Sequence, residues 1–186
     1  MRRLSVFNSV SLDGYFRSLD GSLAWSHGGD PDPEFDAFIA GNASGGGVLV
    51  FGRKTYEMMA SFWPTPMAAQ QFPVVARQMN ALPKLVFTRT LAAATWTNTT
   101  LVSGDAVAEM KRLKGEEGAD LVILGSGTLV AALARAGLVD EFQVLVHPVA
   151  LGAGKTMFEG VDPLRLSLAS TRRFANGNVF NVYEAR

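Results

Sequence analysis

Apolar and polar positions along this chain follow two rhythms that take turns. "LSVFNSV" (4–10) reads as a strand. After a loop rich in Gly, Asp and Ser, the residues Phe35, Phe38 and Ile39 fall at the i, i+3, i+4 spacing of a helix beginning near Pro33. "VLVF" (48–51) predicts a strand between glycines, and "RKTYEMMASF" (53–62) a helix directly behind it. The pattern repeats with the strand "KLVFT" (84–88), the amphipathic helix "SGDAVAEMKRLKG" (103–115), the strand "DLVILG" (120–125) and the helix "TLVAALARAG" (128–137). Unbroken apolar runs of this kind suit parallel strands covered on both faces. The last third has no helical rhythm. "EFQVLVHPV", "RLSLASTRRF" and "NVFNVYEA" read as strands, the last two joined by the turn "ANGN". The expectation is one α/β domain over 1–186, three layers deep, with a mainly parallel sheet closed by an antiparallel hairpin.

In such sheets ligands collect beyond the carboxyl ends of the parallel strands. Three predicted strand ends carry anion-binding chemistry. At the first, Gly52 is expected to allow a tight turn, and the amides of Arg53, Lys54 and Thr55 open a helix whose N-terminus, helped by two cations, attracts an anion. The second is "LGSGTL" (124–129), where Gly125 and Gly127 would let a diphosphate approach the backbone and Ser126 and Thr128 offer hydroxyls and amides, with Leu129 following. The dinucleotide fingerprint wants a third glycine where Val130 stands, which argues against a Rossmann domain. At the third, Thr88 and Arg89 follow a strand, and an arginine there suits a 2′-phosphate, so the three ends lean toward NADP(H). "GAGKTMF" (152–158) has the tail of a phosphate-binding P-loop but Val149 where its first glycine belongs; it reads as a turn, with Lys155 near a ligand.

Proton-handling groups are scarce. The acidic run "DPDPEFDAF" places Asp32 as a helix cap before Pro33, and sets Glu34 and Asp36 on the two flanks of the aromatic stripe. A carboxylate dipping from there into an apolar cleft would have a raised pKa and could protonate a substrate nitrogen. Acids in a first helical turn are also favoured by the helix dipole alone.

Composition narrows the field further. With 17 basic and 17 acidic residues no overall field attracts nucleic acid or a membrane surface. There is no cysteine, and the two histidines, His27 and His147, show no metal-ligand spacing. No Gly-x-Ser-x-Gly elbow exists for acyl transfer. The N-terminal apolar run is broken by Ser5, Asn8, Ser9 and Ser11, so it reads as a strand and not a signal peptide. A soluble cytoplasmic protein is expected, with no metal; a mean hydropathy just above zero hints at apolar surface that oligomerisation would cover, and a homodimer is the expected form.

Taken in order, "SVSLDGYF" (9–16), "LVFGRKTYEMM" (49–59), "NALPKLVFTRT" (80–90) and "LVILGSGTLVAALARAGLVDEFQVLVHPVALGAGKTMF" (121–158) resemble the dihydrofolate reductase superfamily. Within it, "GLVDEF" followed by "HPVALGAGK" is similar to the single-domain relatives of the C-terminal reductase domain of bacterial riboflavin biosynthesis. The resemblance implies a three-layer α/β/α dihydrofolate-reductase-like fold, NADPH as cofactor and a pyrimidine- or pteridine-like small-molecule substrate. It places Gly52, Arg53, Lys54 and Thr55 at the cofactor phosphates, Thr88 and Arg89 at the adenosine end, and Gly125, Ser126, Gly127, Thr128 and Leu129 at the diphosphate. Asn8, Ser9 and Trp25, the last in a mobile loop, would border the nicotinamide and substrate. Glu34, four residues before Phe38, fits the spacing of the superfamily's carboxylate, with Asp36 the alternative. Folate reduction, a nucleotide-binding module without turnover, and a flavin or deazaflavin in the same cleft are the competing expectations.

Overall fold

The computed structural model describes residues 1–27 and 29–186. Eight strands form one sheet: β1 (Leu4–Ser11), β2 (Val48–Gly52), β3 (Lys84–Phe87), β4 (Thr99–Val102), β5 (Leu121–Leu124), β6 (Glu141–His147), β7 (Leu166–Arg173) and β8 (Val179–Ala185). Their spatial order is β4-β3-β2-β5-β1-β6-β8-β7. The first six are mutually parallel, and β8 pairs antiparallel with both β6 and β7. The expected mainly parallel sheet with a closing hairpin is therefore present.

The short apolar strands read as doubly covered are so. Val50, Leu121 and Ile123 are fully buried in a core shared with Met110, Leu113, Val130 and Leu133. These last four belong to α5 (Ala106–Gly115) and α6 (Gly127–Arg135), which cover one face. The other face carries α1 (Pro33–Ala43), α2 (Arg53–Phe62), α3 (Pro66–Gln71) and α4 (Pro73–Ala81). There Leu49, Phe51 and Val86 pack with Tyr56, Met79 and Trp96. Because side chains alternate along a strand, Leu49 and Phe51 face this second core while Val50 faces the first.

The sequence reading passed over β4, α3 and α4. "TTLV" is an edge strand of four residues, with Leu101 packed on the second core, too short for an alternation to register. The two helices are short, and their signals are caps and not periodicity. Pro66 and Pro73 each sit at a helix start, and the Thr65 hydroxyl accepts from the Ala68 amide at 3.2 Å. α5 begins at Ala106 and not 103, because Asp105 caps it by accepting from the Ala108 amide at 2.8 Å.

Lys84 opens β3 with 1% of its surface exposed. Its ammonium donates to the carbonyls of Leu82 (2.7 Å), Asn80 (3.2 Å) and Thr97 (3.2 Å), and lies 4.4 Å from the centre of the Trp96 ring. Burial pushes the ammonium down to about 8, so it stays charged at neutral pH and pins the end of α4 to the start of β4. Lys84→Met keeps the aliphatic stem but strands three carbonyls without a donor. It is expected to destabilise by about 3 kcal/mol, roughly 6–12 °C in Tm, read from the urea midpoint at unchanged m-value.

Candidate active site

Sheet order brings the three predicted strand ends side by side, since β3, β2 and β5 are consecutive neighbours. At the β2 end the Gly52 amide donates to the Ser126 hydroxyl at 2.8 Å, and at the β5 end the Ser126 amide donates to the Thr55 hydroxyl at 3.1 Å. The Ser126 hydroxyl also donates to the Leu124 carbonyl at 3.2 Å. These side chains cross between the two strand-to-helix corners and lock them together.

The same bonds leave both helices open at their N-termini. Neither Gly52 before α2 nor Ser126 before α6 caps its helix through a side chain. Ser126 occupies the N-cap position with its hydroxyl turned to the neighbouring strand. The first-turn amides at Arg53–Thr55 and at Gly127–Leu129 therefore present two positive helix ends on adjacent strands, a geometry suited to a diphosphate.

The glycines serve other ends than expected. Gly52 has an ordinary extended backbone (φ −82°, ψ 160°), so no special turn explains it. Gly125 adopts φ +61°, and a Cβ there would lie 2.9 Å from the Thr55 methyl; it makes room for Thr55 rather than for a ligand. A Cβ on Gly127 would meet the Phe16 ring at 2.7 Å, so one side of the α6 N-terminus is covered by the protein itself.

The cations divide. Arg53 is held by Glu57 at 2.9 Å one turn along α2, whereas Lys54 and Arg89 are exposed and stand outside every ion pair among the described residues. Thr88 turns its hydroxyl inward on its own loop, accepting from the Thr90 and Leu91 amides at 3.2 and 3.0 Å, which fixes the corner carrying Arg89. Thr128 is exposed and Leu129 buried at the start of α6.

On β1 the predicted pair splits across the sheet. Asn8 is 4% exposed on the α5/α6 side, with its amide directed at the Gly125 carbonyl and the Met157 sulfur, both at 3.4 Å. It buttresses the β5 corner from below and does not border the α1 side. Ser9, by alternation, faces the α1 side and is half-buried. Trp25 lies in a 3-10 turn (Ala24–Ser26), its ring edge-on to His147 with centroids 5.4 Å apart.

The acids do not enter the cleft. Glu34 and Asp36 are exposed, and Glu34 pairs with Arg172 at 2.7 Å. The Arg172 guanidinium lies over Phe38 and Phe174, so the acid is drawn outward over the aromatic stripe. The buried carboxylate is Asp32, which accepts from the amides of Glu34 (3.0 Å), Phe35 (3.2 Å) and, across the hairpin turn, Asn176 (3.1 Å). Burial alone would raise its pKa, but the amides of Phe35, Asn176, Glu34 and Ala175 outweigh it and hold the group below the usual carboxylate range. Asp32 is an ionised cap and not a proton donor at neutral pH.

The stretch expected to be a mobile loop is fastened in its first half. Leu12 donates to the Val149 carbonyl, Phe16 to Lys155, and Lys155 back to Arg17, closing an antiparallel bridge. Asp13 accepts from the Ser11 hydroxyl (2.6 Å), the Leu151 amide (3.1 Å) and the Gly152 amide (2.7 Å). A Cβ on Gly154 would stand 2.5 Å from the Arg17 carbonyl oxygen, so "GAGK" is the seat of the "SLDGYF" segment and not a phosphate cradle. Lys155 itself is exposed on that turn.

The chain matches the model of the RibD C-terminal domain over residues 2–180. It belongs to the RibD C-terminal domain family. Among curated relatives, the uncharacterised protein YyaP of Bacillus subtilis (strain 168) is 28% identical over 98% of this chain and 94% of its own length. YwjB of the same organism is 29% identical over 93% and 92%. A putative riboflavin biosynthesis protein from Shewanella sp. PV-4 superposes with a TM-score of 0.79 at 22% identity, covering 99% of both chains. A pyrimidine reductase-like protein from Corynebacterium diphtheriae gives 0.66 at 12% identity (100% and 92% covered). Dihydrofolate reductase from Enterococcus faecalis, complexed with NADP(H), gives 0.60 at 14% (99% and 96%). The dihydrofolate-reductase-like fold is thereby established. Among the described residues no helix is long and apolar enough to cross a membrane.

The fastening at Asp13 has a pH signature. The Ser11 hydroxyl first, and then the Leu151 and Gly152 amides, hold its carboxyl at about 2, below its ordinary 3.8. A depressed folded-state pKa means stability that is complete above the unfolded value and lost as pH falls toward 2. Asp13→Asn is expected to lower Tm at pH 7, and the gap to the parent protein is expected to shrink steadily between pH 4 and 2 in thermal melts.

Proposed function

We propose that this protein is an NADPH-dependent reductase of a pyrimidine- or pteridine-type substrate, most like 5-amino-6-(5-phosphoribosylamino)uracil reductase. The observation that carries the reading is the pair of uncapped helix N-termini on neighbouring strands, flanked by Lys54 and Arg89, exposed cations outside every ion pair among the described residues. The Arg53–Thr55 amides and Lys54 hold one phosphate group of the coenzyme, and the Gly127–Leu129 amides the other. Arg89, on the corner shaped by Thr88, receives the 2′-phosphate. NADPH, when bound, supplies the hydride. The chain's own work is positioning: β3, β2 and β5 align the donor, and Ser9, Trp25 and the aromatic face of α1 present the acceptor beside it. With Glu34 paired outward and Asp32 saturated by amides, the proton comes from water.

That same feature favours a second reading, a NADP(H)-binding module without turnover, and weighs against folate reduction. Titrating NADPH and then following oxidation at 340 nm with pterins and with the riboflavin-pathway pyrimidine separates the two. Turnover on the pyrimidine is expected; tight binding with no oxidation on any substrate would select the module. Visible absorbance of the purified protein tests a flavin or deazaflavin in place of NADPH. Arg89→Ala is expected to weaken NADPH binding about tenfold or more and NADH binding less than twofold, because only the former carries the 2′-phosphate. Equal losses would remove the 2′-phosphate assignment.

The reading includes a homodimer. On the α5/α6 side of the hairpin, Phe142, Tyr183 and Leu168 share one face by register, with Val144 and Leu166 beside them. Leu168 is 56% exposed, and an apolar groove of about 540 Å³ runs between Val144, Leu166, Tyr183 and Phe158. The lining holds a single charged residue, Asp13, so two copies meeting there bring little like charge together. Leu168→Glu is expected to shift the sedimentation mass from dimer to monomer with Tm changed little; an unaltered dimer would place the interface elsewhere.

A further inference from the structure

On the α1 side of the sheet, at the carboxyl end of β6, three buried polar atoms have no hydrogen-bond partner among the described residues: His147 Nε2, Asn178 Oδ1 and Trp25 Nε1. His147 ends β6. Asn178 stands one position beyond the last registered pair, Val146–Val179, so the two residues are cross-strand neighbours. Strand alternation gives them the face of Leu145 and Phe180. Trp25 closes the group, its ring meeting the imidazole at 87°. His147 and Asn178 are each only 4% exposed.

Buried polar atoms in folded proteins are nearly always paired, and an unpaired one is costly. Here the β6 end and the hairpin turn are too firmly built for His147 and Asn178 to find partners by shifting. Asp32 ties the Asn176 amide to the head of α1, and the Asn178 amide donates to the Asn176 side chain at 3.1 Å. A Cβ on Gly177 would come within 3.1 Å of Pro148, so the hairpin turn rests directly on the residue after His147. Phe35 and Phe38 stack on Phe174, and Phe38 also on Phe180. The open valences of His147 and Asn178 are thus held in place by a rigid frame, with the Trp25 indole resting against the imidazole.

Their chemistry is complementary to one kind of ligand edge. An indole N–H only donates, and an amide oxygen only accepts. Burial, followed by the charge of His27, pushes the imidazole down to about 4, so at neutral pH His147 is uncharged and Nε2 serves as donor or acceptor according to tautomer. A planar cyclic amide, with adjoining C=O and N–H groups, offers matching partners and enough flat apolar surface to lie against Trp25. β1 and β6 follow β5 in the sheet order, so this group lies next in line after the three corners assigned to the coenzyme.

We propose that His147 and Asn178, with Trp25 as cover, recognise the C=O/N–H edge of a heterocyclic lactam, which takes the indole's place against the imidazole as Trp25 shifts to lie over it. The Asn178 oxygen accepts from the ring N–H, the Trp25 N–H donates to a carbonyl, and His147 Nε2 fixes the neighbouring position. That the lactam is the reductase's substrate rests on the function proposed above; the binding edge itself does not.

The test uses the full chain and 5,6-diaminouracil as probe, with 15N-labelled histidine followed by NMR and affinity by calorimetry, each with and without NADPH. His27→Gln assigns the two imidazoles. Expected are a shift of His147 Nε2 on saturation and a probe Kd raised tenfold or more in both His147→Phe and Asn178→Leu. His147→Gln should recover part of the loss, and NADPH affinity should stay within twofold throughout. An unmoved Nε2 signal, or an unchanged probe Kd in both variants, overturns the proposal, as does a crystal structure in which one water bridges all three atoms and survives soaking with the probe. If a variant does not fold by near-UV circular dichroism, the parent protein's Nε2 shift decides alone. Probe binding without NADPH binding would sink the coenzyme reading and leave this one standing; the reverse would sink only this one.

Discussion

The architecture of the cleft depends on one crossed pair of hydrogen bonds. Ser126 gives up capping its own helix to accept from Gly52, and Thr55 accepts from Ser126 in return. That exchange holds the corners after β2 and β5 at fixed spacing, and it leaves the first turns of α2 and α6 without a side-chain cap among the described residues. Stability and binding are here one arrangement: the side chains that would quench the helix ends are spent on joining them. Gly125 has to be glycine because Thr55 comes so close, and Asn8 supports the same corner from the opposite face.

The acidic chemistry of the site is defined by where carboxylates are not. α1 carries three acids in and before its first turn, and the fold uses each for something other than proton transfer. Asp32 caps the helix and holds the hairpin, Glu34 reaches out to Arg172, and Asp36 stays in solvent. The uncharged polar atoms of His147, Asn178 and Trp25 then make the α1 side of the cleft a place for hydrogen-bonding shape recognition more than for charge.

Most of the layer structure was legible from periodicity, because buried parallel strands must be apolar throughout and amphipathic helices must repeat near 3.6. Elements as short as β4, or carried by caps alone, such as α3 and α4, left no periodic trace. The row of corners was legible too, since glycine, hydroxyl and cation types mark strand ends. What those glycines do was not, because Gly125 and Gly154 answer to Thr55 and Arg17, partners 70 and 137 positions away by the numbering, and no local pattern announces a distant neighbour. The same reason hid His147: its strand position was readable, but the unpaired nitrogen depends on Trp25 and Asn178, which only the sheet order brings to it.

The placement of β1 bears on how the molecule comes into being. Both of its neighbours in the sheet, β5 and β6, are encoded in the later part of the chain. On the ribosome, the stretch from β1 to β5 takes on the order of ten seconds to emerge at ordinary elongation rates. For all that time the central strand has no ladder to join, and Leu4, Val6 and Val10, all destined for the interior, are available to chaperones or to other nascent chains. A protein whose middle is made first and enclosed last owes its yield in the cell to what guards that interval.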